Sequence, residues 1–299
     1  MAYYLRQGGE VMIPQAFEYY APTTISGAVK LLKKYKDEAK ILAGGQSLIP
    51  AMKLRLSEVL HLVDLSRVKD LVLIQEQDGE LVIGSMTTYS MLDSSVVWEK
   101  MPVLAEAASL VADIQVRNKG TIGGSLAHAD PAADLPAVIL AAEAKIMTAG
   151  AGRSRSISAD RFFLDIFTTT LRENEVIKEI RMPVLPRGTG SSYHKFANKA
   201  SHFAIVGVAA FVTLDKAGIC DRIRLGITGA GPCAIRAKSA ERFLEGKEPS
   251  VKNIEEAASR ATRGIDFQGD LHASVAYRQH LTKVFVNKAL TTAVDRACN

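Results

Sequence analysis

Two glycine pairs carry the first chemical suggestion in this sequence. Ala43-Gly44-Gly45-Gln46-Ser47-Leu48 stands between a short apolar run and a stretch of helical spacing, and Thr121-Ile122-Gly123-Gly124-Ser125 lies in a polar segment further on. Paired glycines let neighbouring backbone amides point into one concavity, and the missing Cβ lets a phosphate approach closely. The adjacent Gln, Ser and Thr side chains add donors. Each pair alone is a weak signal and reads first as a tight turn. Together they could close on the two phosphates of one dinucleotide from opposite sides.

Other constellations offer less. No G-x-x-x-x-G-K-[ST] run occurs, which excludes a P-loop. Gly229-Ala230-Gly231-Pro232-Cys233-Ala234 imitates a G-x-G-x-x-A fingerprint, but a Rossmann unit needs a second parallel strand and a downstream acidic residue. The chain continues instead into Gly246-Lys247-Glu248-Pro249 and more helix, so the segment reads as a loop and helix entry. His128, Asp130 and Asp134 suggest a metal or acid/base cluster on one reading, and loop hydrogen bonds with a helix cap on the other. Lys195, Lys199 and His202 share a strand-to-loop segment and read as surface groups. With no Ser-His-Asp order and no Cys-His pair, no catalytic residue is assigned. Cys220, Cys233 and Cys298 are too few and too scattered for an iron–sulfur cluster, a paired zinc site or a disulfide framework. Redox chemistry here would need an organic carrier or another chain.

The elements around the loops follow from periodicity. Ser26 is expected to cap a helix carrying Ala28, Leu31, Leu32 and Tyr35. Strands over 39–43 and 61–65 enclose the first loop and a helix over 48–56. A hairpin joins 71–74 to 81–83 through Asp78-Gly79. A helix over 94–112, a loop over 117–134, a helix capped by Asp134 and reaching Glu143, and a hairpin of 145–149 with 154–158 complete the first half. Composition breaks at Met182-Pro183-Val184-Leu185-Pro186-Arg187-Gly188-Thr189-Gly190, which marks a boundary between a domain over 1–183 (subdomains 1–58 and 59–183) and one over 184–299. Strands over 192–196, 203–214 and 221–228, then helices over 235–244, 251–263 and 274–296, make the second domain α+β with antiparallel pairing.

With 299 residues, 47% hydrophobic and 23% charged, the chain is a globular protein able to bury a large core. The excess of 37 basic over 32 acidic residues is thinly spread, as at Lys33-Lys34 and Arg153/Arg155, without the stripe of a nucleic-acid binder. Met1–Glu10 lacks the apolar core of a signal peptide. The longest apolar run, Ala204–Leu214, falls short of the ~20 residues of a membrane span. Unpaired cysteines fit the cytoplasm.

Ala43-Gly44-Gly45-Gln46-Ser47-Leu48-Ile49-Pro50, with Met52-Lys53-Leu54-Arg55-Leu56, resembles the first FAD loop of the medium, flavin-binding subunit of molybdenum hydroxylases, the carbon monoxide dehydrogenase and xanthine dehydrogenase type. Arg117-Asn118 and Thr121-Ile122-Gly123-Gly124-Ser125-Leu126-Ala127-His128-Ala129-Asp130-Pro131-Ala132-Ala133-Asp134-Leu135-Pro136 is similar to the second. Ala204-Ile205-Val206-Gly207-Val208-Ala209-Ala210 and Ala273-Ser274-Val275-Ala276-Tyr277-Arg278 resemble the family's C-terminal domain. The resemblance spans nearly the whole chain. It implies an α+β protein: a vanillyl-alcohol-oxidase-like (PCMH-type) FAD domain of two α/β subdomains, then a C-terminal domain with a small antiparallel sheet and helices.

By the same resemblance Ala43, Gly44, Gly45, Gln46, Ser47, Leu48 and Ile49 in the first loop bind FAD, as do Thr121, Ile122, Gly123, Gly124 and Ser125 in the second. Asp134 contacts the cofactor, Ile177 and Lys195 fall on further FAD positions, and Tyr193 neighbours the flavin ring. Lys199-Ala200-Ser201-His202-Phe203 departs from the family's Arg followed by Gly-Asp or Asp-Asp, which leaves the acceptor preference open. The implied function is electron transfer from [2Fe–2S] clusters of a small partner subunit, through FAD, to an external acceptor. A large molybdopterin subunit would oxidise the substrate, the whole forming a dimer of heterotrimers. The alternatives are a stand-alone flavin oxidase or reductase of the same fold, and a phosphate-binding scaffold without redox function.

Overall fold

The computed structural model describes residues 13–152 and 154–298. The expectations for Met1–Glu10 and Arg153 lie outside them. The chain first builds β1 (Glu18–Tyr20), α1 (Ile25–Tyr35), β2 (Ala39–Leu42), α2 (Leu48–Lys53) and β3 (His61–Asp64), with a parallel sheet ordered β1-β3-β2. Ala28, Val29 and Leu32 of α1 pack onto Ala39 and Val63 of that sheet. Thr24, not Ser26, caps α1, its hydroxyl accepting from the Gly27 amide at 3.1 Å. A cap must be extended, as Thr24 is, whereas Ser26 already lies inside the helix. α2 stops at Lys53, short of the expected Leu56, and Arg55 turns to a φ of 59°.

The second subdomain contains β4 (Ile74–Gln77), β5 (Glu80–Gly84), α3 (Tyr89–Leu92), α4 (Ser95–Lys100), α5 (Pro102–Ser109), α6 (Ile114–Arg117), α7 (Ile122–His128), α8 (Leu135–Ala141), β6 (Lys145–Ala149), β7 (Ser154–Ser158), β8 (Phe163–Asp165), β9 (Thr168–Thr169) and β10 (Val176–Pro183). Its main sheet is antiparallel, ordered β4-β5-β10-β6-β7. The hairpin turns at Asp78-Gly79 as expected, but its first strand begins at Ile74, because Leu71 is buried in a short 3-10 turn. The helix expected over 94–112 breaks at Met101: Pro102 has no amide to continue the ladder and takes the first position of a new helix. The expected loop over 117–134 contains α7, capped by Thr121.

The chain ends with β11 (Thr189–Ala197), β12 (Ala204–Leu214), β13 (Cys220–Thr228), β14 (Ile235–Arg236), α9 (Lys238–Leu244), α10 (Val251–Arg260) and α11 (Val275–Ala297). The four strands pair antiparallel in that order. The helix expected from Ile235 starts at Lys238, because Ile235-Arg236 pair with β13 first. Alternation along β12 explains its unbroken apolar run. Val206, Val208, Ala210 and Val212 face α9, α10 and α11, whereas Ala209 and Phe211 join Tyr193 in the core of the second subdomain. α8, with all seven residues buried, lies between these layers against β12 and β13.

Candidate functional site

Both glycine loops open onto one cavity of about 450 Å³, in the size range of small-molecule sites. It is walled by the first loop, the start of α7, the residues after β5, and the start of β10. Ala43 to Leu48, Thr121, Gly123, Gly124, Ser125 and Ile177 line it. Ile49 and Ile122 do not: Ile49 folds back over Gly45, and Ile122 is a core residue.

The two loops present different chemistry. In the first, Gly45 has a φ of 74°, which an L residue rarely adopts, and the chain reverses there between β2 and α2. Among the described residues, none accepts from the backbone N–H groups of Gly44, Gly45, Gln46 or Ser47. That loop therefore holds a row of unused donors, the arrangement that receives an anionic oxygen.

The second loop has committed its amides. The Ile122 N–H donates to the Thr87 carbonyl (3.0 Å), that of Gly123 to the Ser85 carbonyl (2.8 Å), and that of Gly124 to the Thr121 hydroxyl (3.1 Å). Its glycines serve contact within the protein. A Cβ on Gly123 would stand 2.5 Å from the Ser85 Cβ, and one on Gly44 only 2.1 Å from the Lys119 carbonyl oxygen. These two positions lock the loops against their neighbours, so the second wall offers hydroxyls in place of amides. Tyr89 pairs there with Ser125, and burial pushes the Tyr89 hydroxyl up to about 12.

At the β10 end the wall includes Glu175, held by a two-toothed contact with Arg155 (2.6 and 2.5 Å) and by the Arg172 amide (3.1 Å). A β-bulge between Ile177 and Glu179 re-aims the strand beside the cavity. His128 and Phe167 stand together on the wall, ring centroids 4.8 Å apart.

Asp134, Tyr193 and Lys195 come together in a second place, outside the lining of this cavity. The Tyr193 hydroxyl donates to Asp134 Oδ1 at 2.6 Å, and Lys195 Nζ lies 3.0 and 3.1 Å from the two carboxylate oxygens. Lys195 also donates to the carbonyls of Leu110 and His202 (2.7 and 2.8 Å). The surface reading of Lys195 is thus corrected: its side chain is 5% exposed and ties β11 to two loops. The helix-cap reading of Asp134 is corrected too, since its carboxylate makes no cap bond to α8 and turns toward β11. Burial pushes the Asp134 carboxyl up, against the opposing pull of Lys195 and Tyr193. Burial and the facing carboxylate push the Tyr193 hydroxyl well above its ordinary value. Among the described residues, no group of three or more His, Cys, Asp or Glu side chains could hold a metal ion.

Sequence reasoning missed Ser85, Tyr89 and Glu175 in the cavity wall. Glu175 stands two residues before Ile177, which the resemblance placed on an FAD position; Ser85 and Tyr89 carry no local signal, because only tertiary folding brings the end of β5 against α7.

Comparison with known proteins gives a consistent result. Residues 15–185 match the family described as the FAD binding domain in molybdopterin dehydrogenase, and 191–293 match the CO dehydrogenase flavoprotein C-terminal domain. The carbon monoxide dehydrogenase medium chain of Hydrogenophaga pseudoflava is 40% identical over 95% of this chain and 99% of its own length. The 6-hydroxypseudooxynicotine dehydrogenase complex subunit alpha of Paenarthrobacter nicotinovorans is 38% identical over 96% and 97%. Among solved structures, a carbon monoxide dehydrogenase from Hydrogenophaga pseudoflava superposes with a TM-score of 0.92 at 41% identity, covering 95% of this chain and 99% of that one. Quinoline 2-oxidoreductase from Pseudomonas putida 86 gives 0.90 at 31%, covering 96% and 100%. The α+β architecture, the two matched domains and these relatives agree, and the chain belongs to the FAD-binding flavoprotein subunits of the molybdenum-containing dehydrogenases, a family of oxidoreductases whose cofactor is FAD.

Proposed function

We propose that the chain is the electron-transfer subunit of a molybdenum hydroxylase complex, with the cavity between the glycine loops as its FAD site. The observation that carries the site is the row of uncommitted amides from Gly44 to Ser47, in residues that line a space shared with the second loop. Those amides suit the negatively charged diphosphate of a dinucleotide. The Gly44–Lys119 contact sets the first loop against the turn before the second, and the Gly123–Ser85 contact holds α7 on the end of β5, so the site is largely formed before the ligand arrives.

Bound FAD supplies the redox chemistry, taking up electrons singly and releasing them in pairs. The protein's residues bind and orient. The first loop donates to the phosphates, the second wall contributes hydroxyls, and apolar Leu65, Met86 and Leu171 exclude water. Asp134, Tyr193 and Lys195 brace the C-terminal sheet against α8 and the loop ending in Phe203. In this reading they support the cofactor domain through the sheet. Electrons enter from the [2Fe–2S] clusters of a small subunit and leave to an external acceptor, while a large molybdopterin subunit oxidises the organic substrate. A dimer of such heterotrimers is the proposed assembly.

Purification of the full chain together with the products of its neighbouring reading frames tests this. Three co-purifying polypeptides, a flavin spectrum on this chain, and substrate turnover only by the assembly are expected. A chain without flavin, or one that turns over an organic substrate alone, would overturn the reading.

A further inference from the structure

β8 and β9 meet in a hairpin in which Asp165 pairs with Thr168, so Ile166 and Phe167 form a two-residue tip. Local bonds hold it: the Ile166 amide donates to Asp165 Oδ1 (2.8 Å), and the Thr168 hydroxyl donates to the Ile166 carbonyl (2.9 Å). Phe167 stands there at a φ of 51°, a left-handed position that tight hairpins fill with glycine or asparagine. A bulky side chain costs about 1–2 kcal/mol in that region. The Phe167 amide donates to the carbonyl of Ala129 (3.3 Å), which ends α7 at a φ of 50°, and the Phe167 ring lies beside that of His128. Both residues are exposed, Phe167 to 55%. Among the described non-glycine residues with positive φ, only Phe167 lines the cavity.

The contact with His128 leaves more than half of Phe167 to water, so packing within the chain does not account for phenylalanine at a strained position. The cavity it lines does, because a flat heterocycle gains by stacking on an aromatic side chain. We propose that Phe167, braced by His128, is a stacking surface for one of the two flat ring systems of bound FAD, adenine or isoalloxazine. The inference rests on the cavity being the FAD site. Leu164 and Ile166, its exposed apolar neighbours on the hairpin, do not line the cavity, which separates this role from a docking surface for a partner protein.

Glycine suits the backbone at 167, so Phe167→Gly is expected to keep its flavin-free Tm within about 2 °C of wild type. Stripped of flavin and titrated with FAD, the full-length variant is expected to bind about tenfold more weakly. Phe167→Tyr, which keeps a ring, should bind within about twofold of wild type, and so should Ile166→Ser, on the same tip but outside the cavity. The visible flavin band names the ring: a shift between Phe167→Gly and wild type assigns isoalloxazine, an unshifted band adenine. Unchanged FAD affinity in Phe167→Gly would overturn the proposal, and loss of a co-purifying partner in that case would make the tip a protein-docking surface. Equal weakening in Ile166→Ser would overturn it as well, as would a Phe167→Gly chain that fails to fold. A wild type that binds no FAD would instead remove the reading of the cavity, so the two failures are distinguishable.

Discussion

Burial alone would lift the Glu175 carboxyl, but the Arg155 guanidinium and the Arg172 amide outweigh it and hold the group below its ordinary value of 4.5. A carboxyl lowered in the folded state contributes stability above the unfolded value and loses it as pH falls through the folded one. Arg155→Met reverses the sign. Glu175 stays almost wholly buried without its cation, its carboxyl rises, and the variant loses stability as pH increases through that raised value. The deficit against wild type is expected to be widest near neutrality, about 2 kcal/mol, below the ~3–5 kcal/mol of a fully buried pair because Arg155 reaches solvent. It should close in acid below 4.5. Thermal melts across pH check this, and a constant deficit would show that Arg155 acts through packing alone. Residues of this kind were the hardest to read in the sequence. Glu175 and Lys195 look like ordinary surface charges until β7, β10 and β11 bring them to their partners.

The two glycine pairs were legible as loops lining one site because their neighbours have distinctive types. Their internal division of labour was not, because it depends on contacts from distant segments. Gly44 yields to the Lys119 carbonyl and Gly123 to Ser85, whereas a Cβ on Gly124 would meet only the Thr121 hydroxyl at 2.9 Å and Ala43 at 3.5 Å. Alanine at Gly44 is therefore expected to push the two loops apart and alanine at Gly123 to lift α7 off the end of β5, each lowering stability by about 1–3 kcal/mol and FAD occupancy with it. Gly124→Ala should stay within about 1 kcal/mol of wild type, its helical gain offsetting the disturbed cap. Flavin content and thermal melts of the three variants decide the matter; a Gly124 variant as damaged as the other two would contradict it. The helix that carries the second glycine pair escaped sequence reading for a related reason. α7 is short and glycine-bearing, so its stability comes from packing and the Thr121 cap more than from propensity.

At the scale of the whole molecule, one core is built from the C-terminal half alone, and another is shared across the composition break near residue 183. Phe211 and Tyr193, from the C-terminal strands, lie in the core of the preceding subdomain, and α8 is enclosed between them. Glu143, just beyond α8, accepts from Arg224 at 2.7 Å and pairs with Arg222 and Arg236, adding a polar seam to the apolar one. The apolar run of β12 was easy to read as a strand. That its two faces serve different halves of the protein is a property of the assembled layers. Calorimetry of the full chain is expected to give one cooperative transition for both halves, and two resolved transitions would show that the shared core is energetically minor.

The unused donors between β2 and α2 also set a clock. In deuterated solvent, the amide protons of Gly44 to Ser47 should be replaced rapidly in the flavin-free chain and slowly once the diphosphate covers them. Those of Ile122 to Gly124, already engaged, should keep their protons comparably in both states. Isotope uptake along these two short stretches thus gives an internal gauge of occupancy that needs neither colour nor turnover.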